Sequence, residues 1–112
     1  MVNFKLQRLR IPSGWEVIIN SFLDVDVTQY NSEDDIWLGF TEDILHIRSA
    51  LKRNIAIDLG WYPENDVSGT FRLIVIKNWN WIEPIEEFKS RNKDEIVDKI
   101  EGFLLKYKIY DF

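Results

Sequence analysis

The fold is decided by two runs of sequence, NIAIDLGWY at 54–62 and TFRLIVIK at 70–77. Both runs are rich in β-branched and aromatic residues, which favour strands because their side chains pack well on a pleated surface. The segment between them, residues 63–69 (PENDVSG), has the composition of a turn. The sequence therefore predicts a β-hairpin at the centre of a sheet.

Further strands are predicted upstream of this hairpin. Residues 4–10 alternate in polarity, residues 12–14 (PSG) are typical of a turn, and residues 15–22 form another apolar run. We therefore predict a strand, a turn and a second strand in this part of the chain. The alternation of apolar and acidic residues continues over 23–30, and it ends in a long acidic loop at 31–35.

The segment that begins at Thr41 allows two interpretations. Apolar residues at 44, 47 and 51 have the spacing of a helix, whereas the alternation of Leu45 and Ile47 suits a strand. We favour the strand. After the central hairpin, a loop through residues 78–81 leads to a short strand predicted near residues 86–89.

The last element has the clearest signals. Asn92 is a good N-cap and Glu95 follows three residues later, an arrangement that satisfies free backbone amides at a helix start. Apolar residues then recur at a spacing of 3.6, which predicts a helix over 93–107. We expect an α+β fold in one domain of residues 1–112, with an antiparallel β-sheet of about five or six strands and the C-terminal helix packed on one face.

Composition excludes several classes of protein. The chain has 112 residues, 46% of them apolar, and no Cys, so disulfides, thiolate zinc sites and cysteine nucleophiles are ruled out. No apolar run approaches the roughly 20 residues of a membrane-spanning helix, and the N-terminal sequence lacks the apolar core of a secretion signal. The net charge of −5 disfavours binding to nucleic acid. We expect a cytoplasmic protein that binds neither membranes nor nucleic acids.

The charge is concentrated in one part of the chain. Residues 24–43 contain seven acidic residues and no Lys or Arg, and residues 24–66 contain ten acidic against three basic residues. The aromatic residues Tyr30, Trp37 and Phe40 lie between these acids. A segment of this kind is either a solvated face or a docking surface in which acids attract a basic partner and an aromatic side chain supplies the buried anchor.

Catalytic patterns are weak. The single histidine, His46, lies in an apolar context and lacks a recognisable nucleophile and orienting group. Asp24 and Asp26 would share one face of a strand, but no calcium loop or other metal motif accompanies them. The five glycines have no phosphate-binding spacing. We therefore predict no catalytic residues, no metal site and no cofactor.

One group of segments carries a family resemblance. The run from Ile57 to Glu64 (IDLGWYPE), Gly69 with residues 71–73 (FRL), residues 81–84 and the helix over 95–105 together resemble small stand-alone bacterial proteins that serve as immunity partners of polymorphic toxins. The similarity covers most of the chain from Trp15 onward. It implies a cytoplasmic protein that blocks a toxin domain by binding to it, and it assigns no catalytic residue.

We therefore predict a protein-binding module without enzymatic activity, of the immunity type, that binds a basic toxin domain through an acidic surface bearing aromatic residues. Its predicted contact residues are Glu33, Asp34, Asp35, Trp37, Asp43, Trp61, Tyr62, Glu64 and Asp66. Two alternatives stay open. One is a small enzyme or ligand-binding domain that uses Asp24, Asp26, His46 or Glu64 in a pocket, and the other is a non-catalytic assembly subunit. The sequence leaves the oligomeric state undefined.

Overall fold

A computed structural model describes residues 4–50 and 54–108. It contains five strands in sequential order, each antiparallel to its neighbour, and one C-terminal helix. This confirms the α+β architecture predicted from the sequence. The elements are β1 (Trp15–Asn20), β2 (Leu45–Ser49), β3 (Ile55–Tyr62), β4 (Thr70–Lys77), β5 (Glu86–Ser90) and α1 (Lys93–Lys106).

The predicted central hairpin is confirmed. Strands β3 and β4 pair in continuous register from Ile55 opposite Lys77 to Tyr62 opposite Thr70. The segment at 45–49 is also a strand, as favoured, and β2 pairs with β3; residue 51, which entered the alternative helical pattern, lies outside the described residues. Alternate residues of these strands, such as Ile57 and Leu73, lie in the main core.

The predicted strand at 4–10 is wrong. Within it only Leu6 forms a bridge, to Leu23. The segment instead crosses the side of the sheet that carries α1, where Leu9 packs against the core and the backbone N–H of Arg10 donates to Glu101 Oε2 at 2.8 Å. Its backbone pairing is limited to two hydrogen bonds beside that bridge, from the Gln7 N–H to the Phe22 carbonyl and from the Asp24 N–H to the Lys5 carbonyl.

The strand predicted over 15–22 ends at Asn20, and the alternating residues 23–30 form no strand. Asp26 explains the second difference. Its carboxylate accepts hydrogen bonds from the backbone N–H and the hydroxyl of Thr28, and a short 3₁₀ helix, Val27–Gln29, follows. Local side-chain bonds of this kind compete with strand pairing.

The helix prediction is confirmed within one residue, since α1 ends at Lys106. The side chain of Asn92 accepts from the backbone N–H groups of Asp94 and Glu95, as expected of an N-cap. Glu95 does not reach back to the amide of Asn92. The hydroxyl of Ser90 lies between them, accepting from that amide and donating to the Glu95 carboxylate.

The two faces of the sheet differ. The helix face is covered by α1 and by the 22–43 region, and it holds the main core with Ile96, Ile100 and Leu104 of α1. The opposite side, called here the second face, carries a small buried cluster of Ala56, Ile74 and Ile76. The second face positions His46, and the loops at one end of the sheet position most of the predicted contact residues.

Candidate functional site

Two loops meet at the end of the sheet where β3 ends and β2 begins. The first contains a 3₁₀ helix, Asp35–Gly39, and the second follows Tyr62. The Asn65 side chain donates to the carbonyl of Trp37 at 2.7 Å, and the Asn65 backbone N–H donates to the carbonyl of Phe40 at 2.7 Å. The backbone N–H of Glu42 donates to Glu64 Oε1 at 2.8 Å. These bonds bring the distant acidic stretches of the sequence together.

Six acids of these two loops are exposed. No salt bridge joins any of them to another of the described residues. A single large apolar side chain, Leu38, stands exposed among them, with 73% of its surface accessible. We call this region the acidic surface, and it consists of Glu33, Asp34, Asp35, Leu38, Glu42, Asp43 and Glu64.

Trp37 and Trp61 do not belong to this surface, which corrects the prediction that they are contact residues. Trp37 is 4% exposed and Trp61 is fully buried. Their rings lie 5.6 Å apart, and both pack against Phe40. Each indole N–H is also used internally, donating to the carbonyls of Asn31 and Asp66 respectively. These rings fill the core because their apolar area stabilises the fold most when it is removed from water.

Tyr62 and Asp66 are only partly accessible. Burial raises the pKa of the Tyr62 hydroxyl, and the nearby Glu42 and Asp58 carboxylates raise it further. Hydrogen bonds from the Ser68 hydroxyl and backbone N–H lower the pKa of Asp66. The carboxylate of Asp66 therefore shapes its own turn. Glu33, Asp34, Asp35, Asp43 and Glu64 are exposed, although Asp34 also accepts from the backbone N–H of Asn31 and Glu64 from that of Glu42.

Leu38 was not among the residues predicted from the sequence. In a 3₁₀ helix three residues make one turn, so Leu38 lies on the same side as the exposed Asp35 while Ile36 and Trp37 enter the core. The three-residue spacing of Asp35 and Leu38 is visible in the sequence. It indicates that Leu38 is exposed only when the segment is known to be a 3₁₀ helix.

His46 forms a different kind of site on the second face. It lies opposite Asp58 in the pairing of β2 with β3, and its Nδ1 is 3.0 Å from Asp58 Oδ1. Burial raises the pKa of Asp58, and the hydrogen bond from His46 opposes this shift. The rings of Trp79 and Trp81 lie nearly parallel to the imidazole, with centroids 6.3 and 6.1 Å away.

Asp58 was missed in the sequence because its relation to His46 depends on strand register. Two residues twelve apart give no pattern until β2 and β3 are aligned, after which they lie directly opposite each other. Trp79 lies in the loop between β4 and β5. It adopts a left-handed backbone conformation, with φ of 59°, which is unusual and strained for a bulky residue.

The other residues considered for a pocket do not converge on His46. Asp24 pairs with Lys93, Asp26 caps its own turn, and Glu64 binds the backbone of Glu42. Asp24 and Asp26 line a separate cleft of about 420 Å³ near the start of α1. Within residues 4–50 and 54–108, no three His, Asp or Glu side chains are grouped so that they could hold a metal ion.

No protein-family model, curated protein or solved structure matches this chain. In the described part of the chain, no helix has the length and apolar character needed to cross a membrane.

Proposed function

We propose that this protein is a protein-binding module, and specifically a cytoplasmic immunity-type inhibitor that neutralises a toxin domain. The acidic surface would dock on a basic patch of that domain. The observation that carries the proposal is a set of six exposed carboxylates in two joined loops, none of them in a salt bridge with a described residue. The resemblance to immunity proteins supports the same conclusion.

The physical argument rests on electrostatic steering. Exposed charges of one sign accelerate the encounter with a partner of opposite sign, by an amount that falls as salt increases. Active sites that bind phosphate are basic, so an acidic cover is suited to blocking a nuclease. Leu38, exposed on the 3₁₀ helix Asp35–Gly39, supplies the apolar contact that slows dissociation.

The test is co-expression with the product of the gene immediately upstream, followed by binding kinetics at two salt concentrations. The triple variant Glu33→Gln, Asp34→Asn, Asp35→Asn should associate more slowly and with a flatter salt dependence, because it removes steering charge. Leu38→Ala should instead speed dissociation, by an amount worth on the order of 1 to 2 kcal/mol.

The matched control is a second triple variant, Glu83→Gln, Asp94→Asn and Asp98→Asn. It removes the same number of negative charges from exposed acids outside the acidic surface. This control should bind with nearly wild-type kinetics. The proposal is wrong if the upstream product neither inhibits growth nor binds the protein. The proposal is also contradicted if the two triple variants change the binding kinetics equally, since that result would reflect net charge and not a specific docking surface.

The alternative function is binding or processing of a small ligand at the His46–Asp58 pair, favoured by the two tryptophan rings beside the imidazole. The immunity proposal expects folded His46→Gln to protect cells as well as the wild type, because His46 lies outside the acidic surface. Complete loss of protection in folded His46→Gln would favour the alternative.

A further inference from the structure

The two edges of the sheet are protected very differently. Edge strand β5 has three charged residues among its five, Glu86, Glu87 and Lys89, which is a common protection against pairing with another chain. Edge strand β1 has the sequence WEVIIN, in which Glu16 is the only charged residue. That charge is neutralised by Arg48 of the neighbouring strand, with 2.7 Å between the ionic groups.

Strand β1 is also open to solvent from Glu16 to Asn20. Val17, Ile18 and Ile19 are 42 to 44% exposed, although all three are large β-branched residues. Among the described residues, no backbone group outside β2 forms a hydrogen bond with the backbone N–H or C=O groups of residues 15–20. Residues 9–11 do not cover this edge, because Leu9 and Ile11 pack on the helix face instead.

The apolar character continues from this edge onto the second face. Ile19 lies opposite His46 in the pairing of β1 with β2. The imidazole in turn lies beside Trp79 and Trp81, which are 45 and 47% exposed. The register of β1 against β2 shifts between Val17 and Ile19, but the strand carries little charge. An edge strand of this composition with an adjoining apolar patch is a template for strand addition.

We propose that β1 pairs antiparallel with β1 of a second copy of this chain, joining two sheets into one around a two-fold axis. Such an interface closes on itself and buries the same patch on both copies. It goes beyond the proposed inhibitor function, because it uses a different surface and requires no toxin.

Charge placement selects both the partner and the orientation. A basic partner is drawn to the acidic surface, whereas β1 with Arg48 is neutral and offers it no attraction. The end of β1 lies beside the start of β2, just after Glu42 and Asp43. Parallel pairing would bring two acidic surfaces side by side, but antiparallel pairing places them at opposite ends of the joined sheet, where their repulsion is weakest.

Sedimentation of the full chain over a range of concentrations tests the proposal. The wild type should show a species of twice the 13.4 kDa chain mass, which dissociates on dilution below roughly micromolar concentrations. Added salt should leave this dimer intact or strengthen it, because it screens the repulsion between two acidic chains. Ile18→Lys should weaken the dimer by about tenfold or more, because it places a charge on the edge.

Leu105→Lys controls for added charge near the start of β1 but off its edge, since Leu105 is an exposed leucine on α1 and the carbonyl of the adjoining Leu104 accepts from the Trp15 indole. It changes the net charge equally and should leave the dimer unchanged. A wild type that stays monomeric up to roughly 100 μM, a concentration at which even weak dimers form, would overturn the proposal. A dimer that persists equally in folded Ile18→Lys would overturn it as well.

A second measurement does not depend on the lysine variant folding. The chain has no cysteine, so a single introduced thiol reports on one position only. Where β1 crosses the two-fold axis, one or two neighbouring residues lie opposite the same residues of the second copy. At least one of the variants Val17→Cys, Ile18→Cys and Ile19→Cys should therefore form an intermolecular disulfide efficiently under mild oxidation. Leu105→Cys should form far less, and equal cross-linking at all four positions would count against the edge interface.

Discussion

The helix face and the second face of one sheet serve different purposes. On the helix face, apolar residues of β3 and β4 pack against Ile96, Ile100 and Leu104, which are fully buried. On the second face, Ala56 and Ile76 are buried, but the surrounding positions hold cross-strand polar pairs and exposed tryptophans. The comparison indicates that stability depends mainly on the helix face, which leaves the second face and the loops free to carry binding residues.

The sharpest test of this difference compares two tryptophans. Trp37→Ala should lower the free energy of unfolding by roughly 3 to 5 kcal/mol, because it leaves a cavity among Phe40 and Trp61 and removes a hydrogen bond to Asn31. Trp81→Ala, on the second face, should cost about 1 kcal/mol or less, because its ring is half exposed. Denaturant melts measure both values. Similar losses in the two variants would mean that the faces contribute equally.

The contribution of α1 can be tested in the same way. Ile100→Ala should cost about 2 to 5 kcal/mol, since Ile100 is fully buried against the sheet. Leu105→Ala removes an exposed side chain from the same helix and should stay within about 0.5 kcal/mol of the wild type. Thermal and denaturant unfolding should agree on this order, and a neutral Ile100→Ala would contradict the packing of α1.

The N-cap of α1 should have a smaller effect. Asn92→Ala removes the acceptor for the backbone N–H groups of Asp94 and Glu95, and should cost on the order of 1 kcal/mol. Asn92→Ser restores an acceptor and is the matched control. An unchanged unfolding midpoint in Asn92→Ala would show that Asn92 does not stabilise α1 as its N-cap.

The smallest expected effect is a pH dependence on the second face. Because burial raises the pKa of Asp58, its contribution to stability is fully present below its unfolded pKa of about 3.8 and is lost as the pH rises through its folded pKa. Wild type should therefore lose stability relative to Asp58→Asn as the pH rises through that window. The measurement is the difference in free energy of unfolding between the two proteins, titrated from acid to neutral pH.

Glu87 provides a control of opposite sign on the same face. A hydrogen bond from Arg72 lowers the pKa of Glu87, so wild type should gain stability relative to Glu87→Gln as the pH rises. If the stability difference from wild type changed with pH in the same direction for both variants, burial would not distinguish Asp58 from Glu87.

Local signals in the sequence determined much of the architecture. The β-branched runs at 54–62 and 70–77 predicted the central hairpin, and the N-cap Asn92 with apolar residues at 3.6 spacing predicted α1. These elements were predictable because propensity, capping and periodicity act over a few residues. The alternation at 4–10 gave a wrong strand prediction for the same reason, since a local pattern does not define which segment is available for pairing.

Tertiary structure alone decided which residues are available for function. The sequence identified the acids of residues 33–43 and Glu64, but their meeting depends on hydrogen bonds from Asn65 to Trp37 and Phe40 across the chain. Whether a tryptophan is an anchor or a core residue depends on what covers it, so Trp37 and Trp61 could not be distinguished from Trp79 and Trp81 by composition. The register of β2 against β3 likewise placed Asp58 beside His46, because side chains distant in sequence become neighbours only when strands are aligned.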